Sequence, residues 1–361
     1  MNTAELLRAK GRSKAAIVLI AILAVLVGAV LLAWLVQRDF GGVEVSNVRY
    51  ANFNGISIRA KLLRPVEATS ENRLPGAVYI HGYQNNRETS DAYCIEMARR
   101  GFVMLCIDAI GRGNSGIPND LDDPDFDETY GGRTSFEYLK ALPYVDAERV
   151  GMMGHSLGAE MAYAVALEDP TVQALVISGF AYREDATPAS PRNMLMMIGK
   201  YDEYRERMTG VGDIEAEWMD SPQTMAAFPV ADPQLGVTYG DFAEGTARRV
   251  FVPRAIHIQE SHSKATVAEA LEWMRNALNP PQELWIDADS QIWHVKEWAT
   301  LVAMIAGFAL VLPLGLMLLR LPYFQTLQVP ARKPSVGADA YTCSGRACLK
   351  LAVINGLLMW L

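Results

Sequence analysis

Basic charge is what this chain has little of: 33 lysines and arginines stand against 41 aspartates and glutamates, for a net charge of −8. A nucleic-acid partner needs a basic face, so none is expected. Cysteine is scarce as well, four in 361 residues, which excludes a fold built on disulfides. Cys94 and Cys106 lie in apolar surroundings and read as buried free thiols, a bridge between them being the lesser reading. Cys343 and Cys348 fall in "CSGRAC", but a closed zinc site takes four ligands and no nearby histidine completes one. Glycine-rich phosphate loops, transition-metal clusters, internal repeats and low-complexity tracts are also missing. No cofactor and no metal is expected, and nothing in the composition speaks to oligomeric state.

What is abundant is apolar sequence, and two blocks hold the excess. Residues 15–36 and 299–319 carry no charge, and each is long enough to cross a bilayer of about 20 helical residues. Pro313 in the second block is tolerable inside a membrane helix. The first block is longer than a signal-peptide core and "WLVQRDFGG" after it has no small-residue cleavage site, so it reads as an uncleaved anchor. Arg8, Lys10, Arg12 and Lys14 outnumber Glu5 ahead of it. That bias places the 1–14 tail in the cytoplasm and Arg38 to Glu297 outside the cell membrane. The second block then returns the chain inward, where Arg320, Arg332 and Lys333 follow. Trp34 and Trp298 suit the membrane interface. Residues 279–298 read as a membrane-proximal linker, 320–350 as a cytoplasmic loop, and "LAVINGLLMWL" from 351 to 361 as the start of a further span. The bilayer is thus one expected partner.

Between the blocks, short apolar runs alternate with helical spacing. "VEVSNVRY" and "GISIRAKLLRP" read as an antiparallel hairpin. Buried strands follow in "GAVYIHGY", "FVMLCID", "RVGMMG", "VQALVIS", "NMLMMIG" and "RRVFVPRAIHI". Helices fall between or after them in "DAYCIEMARRG", "TSFEYLKAL", "LGAEMAYAVAL" and "TVAEALEWMRNAL". This order predicts an α/β fold, a doubly wound, mostly parallel sheet preceded by a hairpin. "GHSLG" then places Ser156 at a strand-to-helix junction in mid-sheet, at the carboxyl end where open α/β sheets hold their sites.

Residues 43–278 resemble the α/β-hydrolase family, in particular its dienelactone-hydrolase-like and esterase branch. The resemblance rests on "GHSLG", on "HGY" after the third strand, on "DAIGRGNSG" after the fourth, and on an acid-then-histidine order downstream. It implies a serine nucleophile at Ser156, activated by a histidine that a carboxylate orients. The family's histidine lies in the loop after the last strand. His262 in "QESHSKA" takes that place, with His257, read as inside the strand, its rival. Asp202 in "MMIGKYDEY" takes the place of the acid, with Glu203 beside it as the alternative. The oxyanion donors implied are the backbone N–H groups of Tyr83 and Leu157. Asp108 and Arg112 are expected to shape their loop.

Two departures stand out. The helix between the strands at 172–178 and 193–199 is reduced to "FAYREDATPASPR", and about 204–246 is an insertion over or beside the site, since a single αβ connection needs far fewer residues. Six carboxylates between Asp120 and Glu128 lack calcium-loop spacing and read as a solvated acidic loop. The expected function is a membrane-anchored serine hydrolase acting through an acyl-enzyme on a small-molecule or lipid-like ester. A peptidase or acyltransferase on the same triad is the alternative, and a catalytically idle sensor domain the alternative of another class.

Overall fold

A computed structural model describes residues 3–327 and, beyond them, only 346, 349, 350, 352 and 354. The cysteines of "CSGRAC", Arg332, Lys333 and most of the 351–361 run lie outside the described residues. Chain contacts divide the molecule into Ala24–Ile305 and a second unit made of Met1–Leu23 with Ala306–Leu361.

The larger unit is built on one eight-stranded sheet of order β1-β2-β4-β3-β5-β6-β7-β8. Its strands are β1 (Val43–Ala51), β2 (Ser57–Pro65), β3 (Leu74–Ile80), β4 (Val103–Asp108), β5 (Val145–His155), β6 (Leu175–Ser178), β7 (Met194–Met197) and β8 (Arg248–Phe251). β1 and β2 form the expected hairpin and β2 meets β4 antiparallel; every later pairing is parallel. Strand period 2 sends successive side chains to opposite faces. On β3, Val78 and Ile80 enter one core while Ala77 and Tyr79 enter the other; on β4, Leu105 and Ile107 separate likewise from Met104 and Cys106. The first face is covered by α3 (Gly132–Lys140) and α4 (Leu157–Glu168), the second by α2 (Asp91–Ala98) and α8 (Lys264–Leu278). The sheet is thus an α/β, doubly wound, mostly parallel one, as its alternating pattern implies.

The structure departs from two sequence expectations. β8 ends at Phe251 and does not run to residue 258. Pro253 lacks the N–H a sheet ladder needs, and the chain leaves the sheet ahead of it. Cys94 and Cys106 are not free thiols but a disulfide joining α2 to β4. The pairing depends on α2 packing across β4, which local sequence does not encode.

Between β6 and β7 the described chain has no helix, as its reduced length implies. The 204–246 segment folds as short helices α5 (Arg205–Thr209), α6 (Ile214–Glu217) and α7 (Pro222–Ala227). Ile214, Trp218 and Phe228 carry it into the core of the α4 face. Asp108 does shape its loop: it accepts from Arg87 N, Arg87 Nη1 and Asn114 N. Within the acidic loop only Asp127 is buried, where it accepts from Thr129, Gly131 and Asn52.

Two more helices, α9 (Trp293–Leu318) and the first helix of the chain, α1 (Thr3–Gln37), are long and apolar enough to cross a membrane. α9 starts upstream of the uncharged block. A short α10 (Pro322–Gln325) follows it. Both long helices carry exposed apolar side chains: Ile17, Ile20, Phe308 and Leu312 are all more than 60% exposed.

Candidate active site

The turn around Ser156 is forced by its two glycines. Ser156 has φ 53° and ψ −121°, a conformation costly for a residue with a Cβ and typical of strained sites. It is held there by its N–H on the Ser178 carbonyl at 2.7 Å and by its own carbonyl, which accepts from Ala159 and Glu160. A Cβ on Gly154 would sit 2.3 Å from the Gly158 carbonyl oxygen, and one on Gly158 would sit 2.1 Å from that of Ile80. Glycine is required at both positions. Ser156 thus stands between the end of β5 and the start of α4.

Facing it is the loop after β3. A Cβ on Gly82 would lie 3.4 Å from Ser156 Cβ, so the loop backbone passes close to the serine. His81, just before it, is buried. The Ala109 N–H donates to His81 Nε2 at 3.1 Å, which leaves the ring proton on Nδ1 to donate to the Gly82 carbonyl at 2.8 Å. Burial lowers the pKa of this ring and keeps it neutral. With the Gly82 carbonyl drawn to His81, the trans peptide puts the Tyr83 N–H on the opposite side. Leu157 is the first residue of α4, whose N–H has no acceptor within its own helix. Arg112 lies over the Tyr83 ring at 5.2 Å and steadies the loop from outside.

Asp202, completely buried, follows β7. Its Oδ2 accepts from His257 Nδ1 at 2.8 Å and its Oδ1 from Tyr204 N at 2.7 Å. Burial alone would raise the pKa of this carboxyl, but the His257 and Tyr204 hydrogen bonds outweigh it and the net shift is downward. His257 Nε2 engages no partner among the described residues. The Tyr204 ring stands edge-on to the imidazole at 5.0 Å. Glu203, the alternative acid, takes the His257 backbone N–H instead, at 3.1 Å.

His262 is not part of this arrangement. It ends the 3-10 turn His257–His262, with its ring 5.8 Å from Trp293, and burial lowers its pKa. The structure brings Asp202 together with His257, because β8 stops early and leaves His257 in the loop after the last strand. Pro253 was the signal for this. Glu260, in the same turn, is a second buried acid for which the sequence offers no signal.

The family model of X-Pro dipeptidyl-peptidase (S15 family) matches residues 54–189, a span that includes Tyr83, Ser156 and Leu157 and ends before Asp202. An uncharacterized protein of Pseudomonas aeruginosa is 33% identical over 138 residues, 38% of this chain and 37% of its own. The uncharacterized protein YcjY of Escherichia coli is 30% identical over 134 residues, 36% of this chain and 44% of its own. The matches therefore span less than half the length of these curated relatives. Among solved structures, a hypothetical protein of Pseudomonas aeruginosa aligns with TM-score 0.48 and 19% identity, over 66% of this chain and 95% of that one. An esterase of Pyrococcus furiosus aligns with TM-score 0.47 and 14% identity, over 67% and 96%.

Proposed function

We propose that this chain, which belongs to the α/β-hydrolase family, is a membrane-anchored serine hydrolase that cleaves a carboxylic ester or related acyl compound through an acyl-enzyme. The observation that carries the reading is the buried Asp202–His257 pair, whose free Nε2 shares the carboxyl end of the sheet with the strained Ser156 turn. Ser156 Oγ attacks the acyl carbonyl carbon while His257 Nε2 takes its proton, and the Asp202 carboxylate stabilises the imidazolium formed. The oxyanion is received by the N–H groups of Tyr83 and Leu157. His257 then protonates the departing alcohol. In the second half it takes a proton from water, which attacks the acyl-enzyme and releases the acid and free Ser156. This chemistry uses the chain's own residues throughout.

The same reading places α1 and α9 across the membrane, with the hydrolase unit on the extracytoplasmic side. Exposed apolar surface along both helices supports it, since such surface needs an apolar surrounding. The Cys94–Cys106 bridge supports the side chosen, because disulfides persist in oxidising compartments. A lipid-soluble or envelope-bound ester is the fitting substrate class.

A fluorophosphonate probe tests the chemistry: it should label the detergent-solubilised protein and fail on Ser156→Ala. Labelling that persists in Ser156→Ala, or is absent from the wild type, ends the proposal. The match over residues 54–189 favours one second reading, a peptidase that releases an X-Pro dipeptide. Turnover of an X-Pro p-nitroanilide ahead of a p-nitrophenyl ester would select it.

A further inference from the structure

The Asp202–His257 pair has a companion. Glu260 has no exposed surface. One of its oxygens, Oε1, accepts the Gly199 N–H. The other, Oε2, lies 3.2 Å from His155 Nε2 and 3.9 Å from His257 Nδ1. Both nitrogens already spend their protons elsewhere, His155 Nε2 on the His257 carbonyl at 3.0 Å and His257 Nδ1 on Asp202. Glu260 Oε2 is left as a buried oxygen to which no group among the described residues donates. The space is closed, since a Cβ on Gly179 would meet Oε2 at 2.4 Å.

The ligand atoms of His155, His257 and Glu260 lie within 4.8 Å of one another, the crowding expected of a cation site. The two nitrogens nearest Glu260 carry protons in the hydrogen bonds just given, so they are not free to ligate. The remaining question is the charge on Glu260. Its titratable neighbours are Asp202 and Glu203 from the loop after β7, His155 from β5, His257 from its own turn, Tyr79 from β3 and Tyr93 from α2. No lysine or arginine pairs with it among the described residues. The Glu260 and Asp202 carboxyls lie within hydrogen-bond reach of each other, and two such carboxyls in a buried site cannot both ionise at neutral pH; Asp202 is the one that already has donors, His257 and Tyr204.

We propose that Glu260 is a positioning residue that keeps its proton and gives it as a hydrogen bond to the Asp202 carboxylate, so that His257 works against one negative charge and not two. The proposal rests on the reading of Ser156, His257 and Asp202 as a triad. Burial, with the Asp202 charge after it, pushes the Glu260 carboxyl well above the ordinary carboxylate range. His155 closes the arrangement from below as a neutral ring, its pKa lowered by burial to about 3. A second ionised carboxylate 3.9 Å from Nδ1 would oppose release of the proton that His257 takes from Ser156.

The test uses the full chain in detergent, as wild type, Glu260→Gln and Glu260→Ala. Infrared difference spectra at pH 7 should show a protonated carboxyl band in the wild type that Glu260→Gln removes. In kcat/KM profiles on a p-nitrophenyl ester, Glu260→Gln should lower kcat a few-fold yet leave the acidic limb within about 0.3 pH units of the wild type. Glu260→Ala, which cannot donate, should lower kcat about tenfold with KM held. A missing band, or an acidic limb that drops by about one pH unit or more in Glu260→Gln, overturns the proposal, because either would mean an ionised Glu260 beside His257. Fluorophosphonate titration of Ser156 on the same samples separates the two failures. Unlabelled Ser156 sinks the triad, whereas the infrared band still reports the proton on Glu260.

Discussion

Two pairs of fully buried acids sit in the hydrolase unit, and they are provisioned in opposite ways. On α2, Asp91 is met by Lys61 at 2.8 Å and Lys296 at 2.7 Å, and Glu96 by Arg99 at 2.8 Å and Arg100 at 2.7 Å. Around the site, among the described residues, Asp202 and Glu260 meet only imidazoles, backbone N–H groups and each other. The consequence shows in direction. Burial raises the Asp91 carboxyl, but the Lys61 and Lys296 charges outweigh it and the net shift is down, while Glu260, with no cation, is driven up. The α2 pair is a fastening. Asp91 also takes the amide of Gln37 at the end of α1, and Glu96 accepts the Ile292 and Trp293 N–H groups at the start of α9. A buried acid with counter-ions holds elements together; one without them is where protons can move.

The sharpest way to break this contrast uses the two ends of one turn. His257→Ala should lower kcat by about 10⁴-fold or more. His262→Ala should leave kcat within about threefold and cost roughly 1 kcal/mol of stability through its contact with Trp293. Ester turnover with a folding control by circular dichroism reads both. A folded His262→Ala protein without activity would return the base to His262.

The acids follow. Asp202→Asn should cut kcat by roughly 10³–10⁴ by upsetting the His257 tautomer, with stability little changed. Asp91→Asn should do the reverse, destabilising by about 3–5 kcal/mol because Lys61 and Lys296 lose the buried charge they share and keep only the more exposed Glu88 and Glu297, with normal turnover in what remains folded. Since the folded pKa of Asp91 is depressed, its contribution is complete above its ordinary value of 3.8 and is lost as pH falls through the lower folded one. The gap between wild type and Asp91→Asn in thermal unfolding should therefore close only in strong acid. A gap that closes near pH 6 would mean that Asp91 is not the ionised centre of this fastening.

Smaller again is the bridge that pins α2 to β4. Its cysteines are 12 residues apart, a loop whose closure is worth roughly 3 kcal/mol in the unfolded chain. Cys94→Ala with Cys106→Ala should lower the urea midpoint accordingly while Ser156 still labels with fluorophosphonate. Loss of labelling in the folded variant would show that α2 supports the site as well as the two long helices.

Much of this was legible in the residues. Apolar runs such as "FVMLCID" are strands because both faces of the sheet are covered, and Gly154 and Gly158 announce the elbow because neither position has room for a Cβ. His257 was hidden by its neighbours: "RRVFVPRAIHI" reads as one strand until Pro253 is given its weight. The disulfide was hidden because Cys94 sits on a helix and Cys106 on a strand, each a plausible buried thiol. Glu260 could not be found at all. Its company comes from β5, the β7 loop and α2, and a glutamate in "QESHSKA" looks like any solvated one.

The effect that grows with pH from nothing is the one most particular to Glu260. An acid whose folded pKa is raised keeps a proton that the unfolded chain has released, so its presence costs stability as pH rises from its ordinary value of 4.5 toward the folded one. The slope for one such proton is at most about 1.4 kcal/mol per pH unit. Glutamine has no proton to lose and retains the shape and the donor. Glu260→Gln should therefore be increasingly more stable than the wild type as pH climbs from about 4.5, the gap levelling once the wild-type carboxyl itself ionises. Thermal unfolding of the two proteins in detergent at a series of pH values from acid to weakly alkaline measures that gap directly. A gap that does not change with pH would mean that Glu260 titrates like an exposed carboxyl, and the site acids and the α2 acids would then differ in place but not in kind.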